Sequence, residues 1–525
     1  MASKSNLPFE VSEGQDNEKR EDRSFELKER SSLELVIALT GPVGSGVSTV
    51  SDILMRILAE EFDYTPHYIK LSELIRIHAG EVGVDLTGSL SPSDRVDAYQ
   101  NAGNLLRDRR SSYLADRAIE RINALRRASK GVLTQEGSPD IPVQKRLAYV
   151  IDSLKNPEEV KRLRQIYGDI FWHVTVFAPD EVREKRLVSN AIEETSVRHI
   201  MKKDQSEAQK TGQQVSKTAH LADYFIRNHS NVVESVHPSV RRFLDVIFGT
   251  ILATPTKDEV GMMKAASAAV QSACMSRQVG AAIYSSAGEL VGVGCNDVPK
   301  AGGGLYSADL SEEEDMRCHR WGAKICHNDD RKQRLAASIS KDITDPAAGE
   351  NARRRAYDIV VNSESKNLIE FSRSVHAEME AIVSVARSGR GSTLGGTLFT
   401  TTFPCHNCAR HIVAAGIDRV VFVEPYSKSL ALKLHEDSIT QTDETGKVRF
   451  VQYEGFAPRA SMRVFSSVGR ERKDDAGKFI ALSRRSASPL FPHPLDSYMS
   501  SEELVIQELV TLQGGNDGKE EDNAR

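Results

Sequence analysis

The feature that most constrains the fold is the run Leu-Glu-Leu-Val-Ile-Ala-Leu-Thr at 33–40, which leads without a break into Gly-Pro-Val-Gly-Ser-Gly-Val-Ser-Thr at 41–49. A continuous apolar run suits a strand covered on both faces, as in parallel sheets sandwiched between helices. The glycine-rich turn delivers the chain into Ser51–Phe62, whose apolar residues recur at helical spacing. Strand, loop and helix in this order make a phosphate-binding loop, G-x-x-x-x-G-K-[ST], whose backbone N–H groups cradle anions. Gly41, Gly44, Gly46, Ser48 and Thr49 are the candidate nucleotide-binding residues, but Val47 stands where the lysine belongs. Without that charge, phosphoryl transfer loses a main electrostatic stabiliser. Three readings stay open: a nucleotide site that binds or regulates without turnover, a structural remnant, and a kinase with a displaced lysine or arginine. Asp152 is a candidate neighbour of Mg2+, or an ordinary loop aspartate.

The same strand–helix alternation continues to about residue 230 through GVLTQEG, FWHVTVFA, DEVREKRLVSNAIEE and ADYFIRN, which implies a parallel sheet covered by helices. A connecting helix is expected over 231–257. From 258 the order changes: a helix, then two strands joined at Ser285-Ser286-Ala287-Gly288, a hairpin with a glycine-containing turn. A long polar insert follows over about 300–370, and alternation then resumes. At 525 residues the chain is too long for one core. The charged stretch 1–32 is expected to be a flexible tail, and 461–525 an extension ending in disorder from the Gly514-Gly515 pair. No apolar run approaches a bilayer span and the start has no signal-peptide core, so a cytoplasmic protein with no membrane partner is expected. The formal net charge of −5 gives no footprint for a duplex nucleic-acid binder.

All six cysteines lie in the second half. Clustered cysteines near histidines, without an export signal, argue for metal before disulfides. The sharpest pattern is His376-x-Glu378 followed by Pro404-Cys405-x-x-Cys408. Imidazole and two thiolates suit zinc, and three protein ligands leave a fourth position for water, as in catalytic sites. Both motifs open apparent helices, where N-termini favour thiolates. Glu378 is close to such a metal without needing to bind it, so it can move protons between water, ring and leaving ammonia. A structural zinc knuckle has no use for that glutamate.

Residues 258–430 resemble the cytidine and deoxycytidylate deaminases, through SRQVGAAI at 276–283, GVGCNDVP at 292–299 and the two zinc motifs. The resemblance implies a three-layer α/β/α domain around a mixed five-stranded sheet, with Asn296 on the sugar and Arg277 near the substrate phosphate. The fold class is therefore α/β: an N-terminal P-loop kinase-like parallel sheet at 33–230, then the deaminase-like domain at 258–460. Taken with IDSLKNPEEVKRLRQIYG at 151–168 and YEGFAPRA at 453–460, residues from about 33 to 460, most of the chain, resemble the anti-phage dCTP deaminases. That similarity implies hydrolysis of dCTP, and dCMP too, to drain a nucleotide pool. Lys428 and Ser429 are candidate phosphate contacts, or parts of a solvated loop. Deamination of cytosine in single-stranded nucleic acid is the rival; aromatics at 6% of the chain weigh against it.

Cys318-His319 and Cys326-His327 offer four ligands for a second, structural zinc, with Cys274 or Cys295 as further donors; unliganded thiols are the alternative. Family resemblance also implies a homo-oligomer and an inhibitory RNA.

Overall fold

The computed structural model describes residues 31–129, 145–205, 212–230, 232–345, 349–389, 391–426, 429–442, 444–466 and 471–520. The GVLTQEG stretch and nearly all of the 1–32 stretch lie outside the described residues. The chain divides into two compact units. One takes in residues up to 223, 228–253 and the C-terminal part from 469; the other takes in 224–227 and 254–468.

In the first unit, β1 (Leu35–Thr40) is buried at every position. It feeds α1 (Val47–Phe62) through the glycine loop, and β2 (Thr65–Lys70) follows. Then come α2 (Tyr113–Ser129), β3 (Leu147–Leu154), α3 (Pro157–Tyr167), β4 (Phe171–Phe177), α4 (Asp180–Ser189), α5 (Glu194–Gln205) and α6 (His237–Phe248). The strands run in the order β4–β1–β3–β2, all parallel. Parallel neighbours need crossovers, and the helices supply them on both faces. Val36 and Ala38 of β1 pack into one core with Ile119 and Ile122 of α2 and Leu163 of α3. Alternation turns Leu35, Ile37 and Leu39 to the opposite face. There the rings of Phe62 of α1 and Phe248 of α6 meet, tilted, at 4.7 Å, and Phe243 meets Trp172 of β4 at 5.9 Å. The segment expected as a linker helix is thus part of this unit's packing, because its aromatic face needs cover, and the unit boundary falls after Ala253.

The C-terminal part corrects a second expectation. Helix Leu495–Glu520 buries Leu495, Tyr498, Val505 and Leu509 in the first unit's core. Its backbone stays helical past the Gly514-Gly515 pair, since a helix already anchored by packing propagates one hydrogen bond per residue. Glu502, 0% exposed, shares the Arg126 guanidinium with Glu34. Two carboxylates on one cation leave an excess buried negative charge. Hydroxyl and amide donors compensate: Tyr167 to Glu502 at 2.8 Å, Asn123 to Glu502 at 3.1 Å and Tyr498 to Glu34 at 3.0 Å.

The second unit starts with α7 (Lys257–Ala269), capped by a reciprocal Thr256–Glu259 box. The strands β5 (Gly280–Tyr284) and β6 (Leu290–Cys295) form the expected hairpin, with Gly288 at φ 84° in its turn. The polar insert carries two helices, α8 (His327–Ile343) and α9 (Glu350–Asn362). Then follow α10 (Ala377–Ser388), β7 (Thr397–Thr402), α11 (His406–Ala414), β8 (Arg419–Glu424), β9 (Ile439–Thr440) and β10 (Val448–Gln452). The sheet order is β9–β10–β8–β7–β5–β6, antiparallel at β6–β5–β7 and parallel beyond. It holds six strands rather than the implied five, because the two-residue β9 adds an edge to β10.

Helices press on this sheet from both sides. A Cβ on Gly280 would lie 1.9 Å from Ala265 O of α7, and one on Gly294 would lie 2.4 Å from Ala377 O and Ala381 N of α10. Glycine at 294 therefore lets the first turn of α10 sit directly on β6. Gly294→Ala forces that contact apart and should cost about 1–3 kcal/mol, read as a lower thermal midpoint of the second unit. An unchanged midpoint would contradict the close packing.

Candidate active site

Two helices of the second unit begin at the same place. His376 is the N-cap of α10, and Cys405 is the N-cap of α11, its Sγ accepting the Cys408 backbone N–H at 3.4 Å. Cys408 lies in the first turn of α11, so both sulfurs face α10. Their Sγ atoms each stand 3.3 Å from His376 Nδ1. Among the described residues, this is the one group of three or more His, Cys, Asp or Glu donors within 4.8 Å of one another. One imidazole nitrogen and two thiols converging from two rigid helices fit zinc in number, type and spacing.

Glu378 sits in the first turn of α10, 4% exposed, with Oε2 at 3.4 Å from Cys408 Sγ. Burial raises its carboxyl above the ordinary range, against the pull of His376. The Cys405 thiol moves the other way, down to about 4, through its hydrogen bond with Cys408 and then through His376, with burial opposing. The hydrogen bond with Cys405 raises His376 in turn, against burial. A thiol pushed down, an imidazole pushed up and a carboxyl pushed up thus share one buried site.

Other expected residues lie as follows. Asn296, after β6 and 8% exposed, accepts the Val279 N–H at 2.7 Å and donates to Arg277 O at 2.7 Å. Its amide clamps the 277–279 backbone and keeps one donor and one lone pair spare. Arg277 is half exposed and pairs with Glu424 at 3.1 Å. Lys428 lies outside the described residues. The Ser429 hydroxyl donates to Pro404 O at 2.8 Å, tying its loop to the Cys405 turn. Tyr426 and Glu370 escaped sequence reasoning. Burial raises the Tyr426 phenol, followed by the charge of Cys405, with Arg277 and Glu370 also within reach. Glu370 approaches His406 at 3.7 Å. An aromatic in Glu-Pro-Tyr at the end of β8 was the available signal for Tyr426.

Of the second-metal candidates, Cys318, Cys326 and His327 line one small cavity of about 20 Å³, joined by Cys274, Ser276 and Asp297. His319 does not line it and lies 4.0 Å from Asp315. The candidate nucleotide residues belong to the first unit. Gly44 and Gly46 have φ of 81° and 85°, Ser48 donates to Asp152 at 2.7 Å, and Thr49 is half buried in the first turn of α1. A Cβ on Gly41 would lie 2.4 Å from Ser45 Oγ.

A mixed sheet that presents His-x-Glu and Cys-x-x-Cys at converging helix starts defines a hydrolytic nucleobase deaminase. Residues 255–424 match the model of the cytidine and deoxycytidylate deaminase zinc-binding region. The chain is 30% identical over 159 residues to the deoxycytidylate deaminase of Enterobacteria phage T4, covering 30% of this chain and 73% of the phage protein. It is 42% identical over 55 residues to that of Enterobacteria phage T2, covering 10% of this chain and 29% of the phage protein. Among solved structures, dCMP deaminase from the cyanophage S-TIM5 in complex with dCMP and dUMP aligns over 38% of this chain and 99% of its own, at 19% identity and TM-score 0.22. Shikimate kinase from Acinetobacter baumannii aligns over 44% of this chain and 99% of its own, at 14% identity and TM-score 0.24. The chain belongs to the cytidine and deoxycytidylate deaminase family. Among the described residues, no helix is long and apolar enough to cross a membrane.

Loss of a single ligand tests the metal assignment. Cys405→Ala protein, purified alongside the wild type, should lose zinc from the His376–Cys408 site by elemental analysis; unchanged zinc content would contradict it.

Proposed function

We propose that the second unit hydrolyses the exocyclic amine of free deoxycytidine nucleotides, dCTP and also dCMP, to give deoxyuridine nucleotides and ammonia. The observation that carries this reading is the buried Glu378 carboxyl, 3.4 Å from a ligand sulfur and itself outside the ligand set. A structural metal site gains nothing from such a group, since burying a carboxyl without a task costs free energy.

His376, Cys405 and Cys408 would hold zinc, which when bound lowers the pKa of water and so supplies a nucleophile at neutral pH. Glu378 takes one proton from the attacking water and passes it to the ring nitrogen next to the reacting carbon; it then takes the second proton from the oxygen added there and delivers it to the amine, which leaves as ammonia. Burial suits it to the task, because raising the carboxyl makes it a better proton acceptor than an exposed glutamate. Asn296 holds the 277–279 segment in place and offers its spare donor and acceptor to the sugar. Arg277, half exposed and held by Glu424, and Lys428 are the candidate partners of the substrate phosphate.

The deoxycytidylate deaminase name of the phage T4 relative supports a deoxycytidine nucleotide. The low aromatic content and net charge of −5 favour a free nucleotide over a polymer. In this reading the protein is cytoplasmic and drains the deoxycytidine nucleotide pool as an anti-phage defence. A homo-oligomer and an inhibitory RNA complete the proposal by family resemblance. Purified protein incubated with dCTP, dCMP, cytidine and a cytosine-bearing oligonucleotide should convert the first two. Conversion of the oligonucleotide alone would overturn the substrate assignment, and conversion of dCMP alone would point to ordinary nucleotide metabolism.

We also propose that the cavity beside Asp297 takes a second, structural zinc through Cys274, Cys318, Cys326 and His327, with Cys274 in the place of His319 in the expected set. The free thiols at one cavity and the His327 Nε2, buried without a partner among the described residues, support it. Cys318→Ser/Cys326→Ser protein should then lose zinc while His376, Cys405 and Cys408 keep theirs. Equal zinc in the double variant and the wild type would end this proposal.

A further inference from the structure

The glycine loop of the first unit has a cation after all, delivered from another strand. Val47 is buried and points at the start of the loop: its Cγ2 would lie 2.6 Å from a Cβ built on Gly41. Lys155, the residue after β3, ends on the same spot, its Nζ donating to Gly41 O at 2.9 Å. The side chain at 47 and the ammonium of Lys155 therefore both reach residue 41.

That ammonium already has an anion. Asp204, at the end of α5 and 1% exposed, accepts from Lys155 Nζ at 2.8 Å through Oδ1. Its Oδ2 accepts the backbone N–H of Val43, inside the loop, at 2.7 Å. An ammonium and a loop N–H are the two kinds of donor that such loops offer to phosphate oxygen. Two further polar groups around the loop stay unused. Arg183, 1% exposed, donates Nε to Val43 O at 2.9 Å and Nη1 to Asp180 at 2.7 Å, but its buried Nη2 has no partner among the described residues. The Ser45 hydroxyl, in the loop itself and 0% exposed, also lacks one among the described residues. On the helix side, Ser48 donates to Asp152 at 2.7 Å and Tyr68 donates to the same oxygen. A hydroxyl and a carboxylate so placed are the pair that holds Mg2+ beside a bound phosphate chain.

We propose that Lys155 is the loop's displaced lysine and that Asp204 is a built-in stand-in for phosphate, which the phosphate chain of a magnesium-bound nucleoside triphosphate displaces. The carboxylate keeps the cradle neutral and closed when no nucleotide is present. Nucleotide entry transfers Lys155 and the Val43 N–H from Asp204 to the phosphates and frees the end of α5, so the loop works as a switch on α5. This does not depend on the deaminase reading, since every residue involved lies in the first unit.

Calorimetric titration of the full-length protein with MgATP, and separately with magnesium tripolyphosphate, tests it. Asp204→Asn should bind MgATP about tenfold more tightly than the wild type, as one competing charge-assisted hydrogen bond is removed. Lys155→Ala leaves Asp204 buried without its cation, so its effect is read in the Asp204→Asn background, with thermal melting to confirm folding. There it should weaken binding about tenfold, and Val47→Lys added to that double variant should restore it. Equal affinity of Asp204→Asn and wild type, no effect of Lys155→Ala in the Asp204→Asn background, or no binding to either protein would overturn the proposal. Binding of tripolyphosphate without MgATP would overturn the nucleotide as ligand.

Discussion

The active site depends on one constraint: α10 and α11 must start within hydrogen-bonding distance of each other. Each helix start exposes N–H groups without intrahelical partners and the positive end of a dipole. Their meeting brings Cys405 against Cys408 and His376, whose hydrogen bonds, that of Cys408 first, push it far below the usual thiol range. Glu378 experiences the opposite, because it is shut away from water. Two acids separated by a few ångströms are thereby driven apart, one toward permanent charge and the other toward carrying a proton. The meeting of the helices rests in turn on Gly294, without which α10 cannot lie on β6 at that depth.

The first unit spends its cations differently. Arg126 joins Glu34 near the start of β1 to Glu502 on the C-terminal helix, which lies 376 residues beyond Arg126 itself. Lys155 joins Asp204 to the glycine loop. Both are buried pairings of one cation with groups from distant elements, and breaking either leaves an uncompensated charge. The two differ in what else is at hand. Arg126 is enclosed by tyrosines that complete its network, whereas the loop beside Lys155 retains unused donors in Arg183 and Ser45. The first arrangement holds architecture together; the second is able to exchange partners.

What the sequence made legible follows from how local each feature is. The parallel sheet of the first unit showed in β1, since an apolar run with no polar alternation has few other uses. His376, Glu378, Cys405 and Cys408 were legible because each pair sits in the first turn of its own helix, so spacing alone puts the groups together. Asn296 showed as a motif, yet its hydrogen bonds to Arg277 and Val279 depend on how the chain folds back from β6. Lys155 was illegible, because only the parallel register of β1 and β3 brings residue 155 to residue 41. The C-terminal helix read as an extension for a similar reason: Tyr498 and Glu502 look like ordinary helix residues until Arg126 and Glu34 are opposite them. Cys274 could be assigned to the Cys318–Cys326 cavity only once the insert had been folded against the start of β5.

The central claim is that the converging helix starts perform hydrolysis and that Glu378 carries the protons. Ammonia release from dCTP and dCMP by Glu378→Gln protein, measured beside its zinc content, tests this most directly. Wild-type zinc content with turnover reduced by about two to four orders of magnitude is the result expected for loss of a general acid–base group. Wild-type turnover by a Glu378→Gln protein that retains its zinc would contradict it.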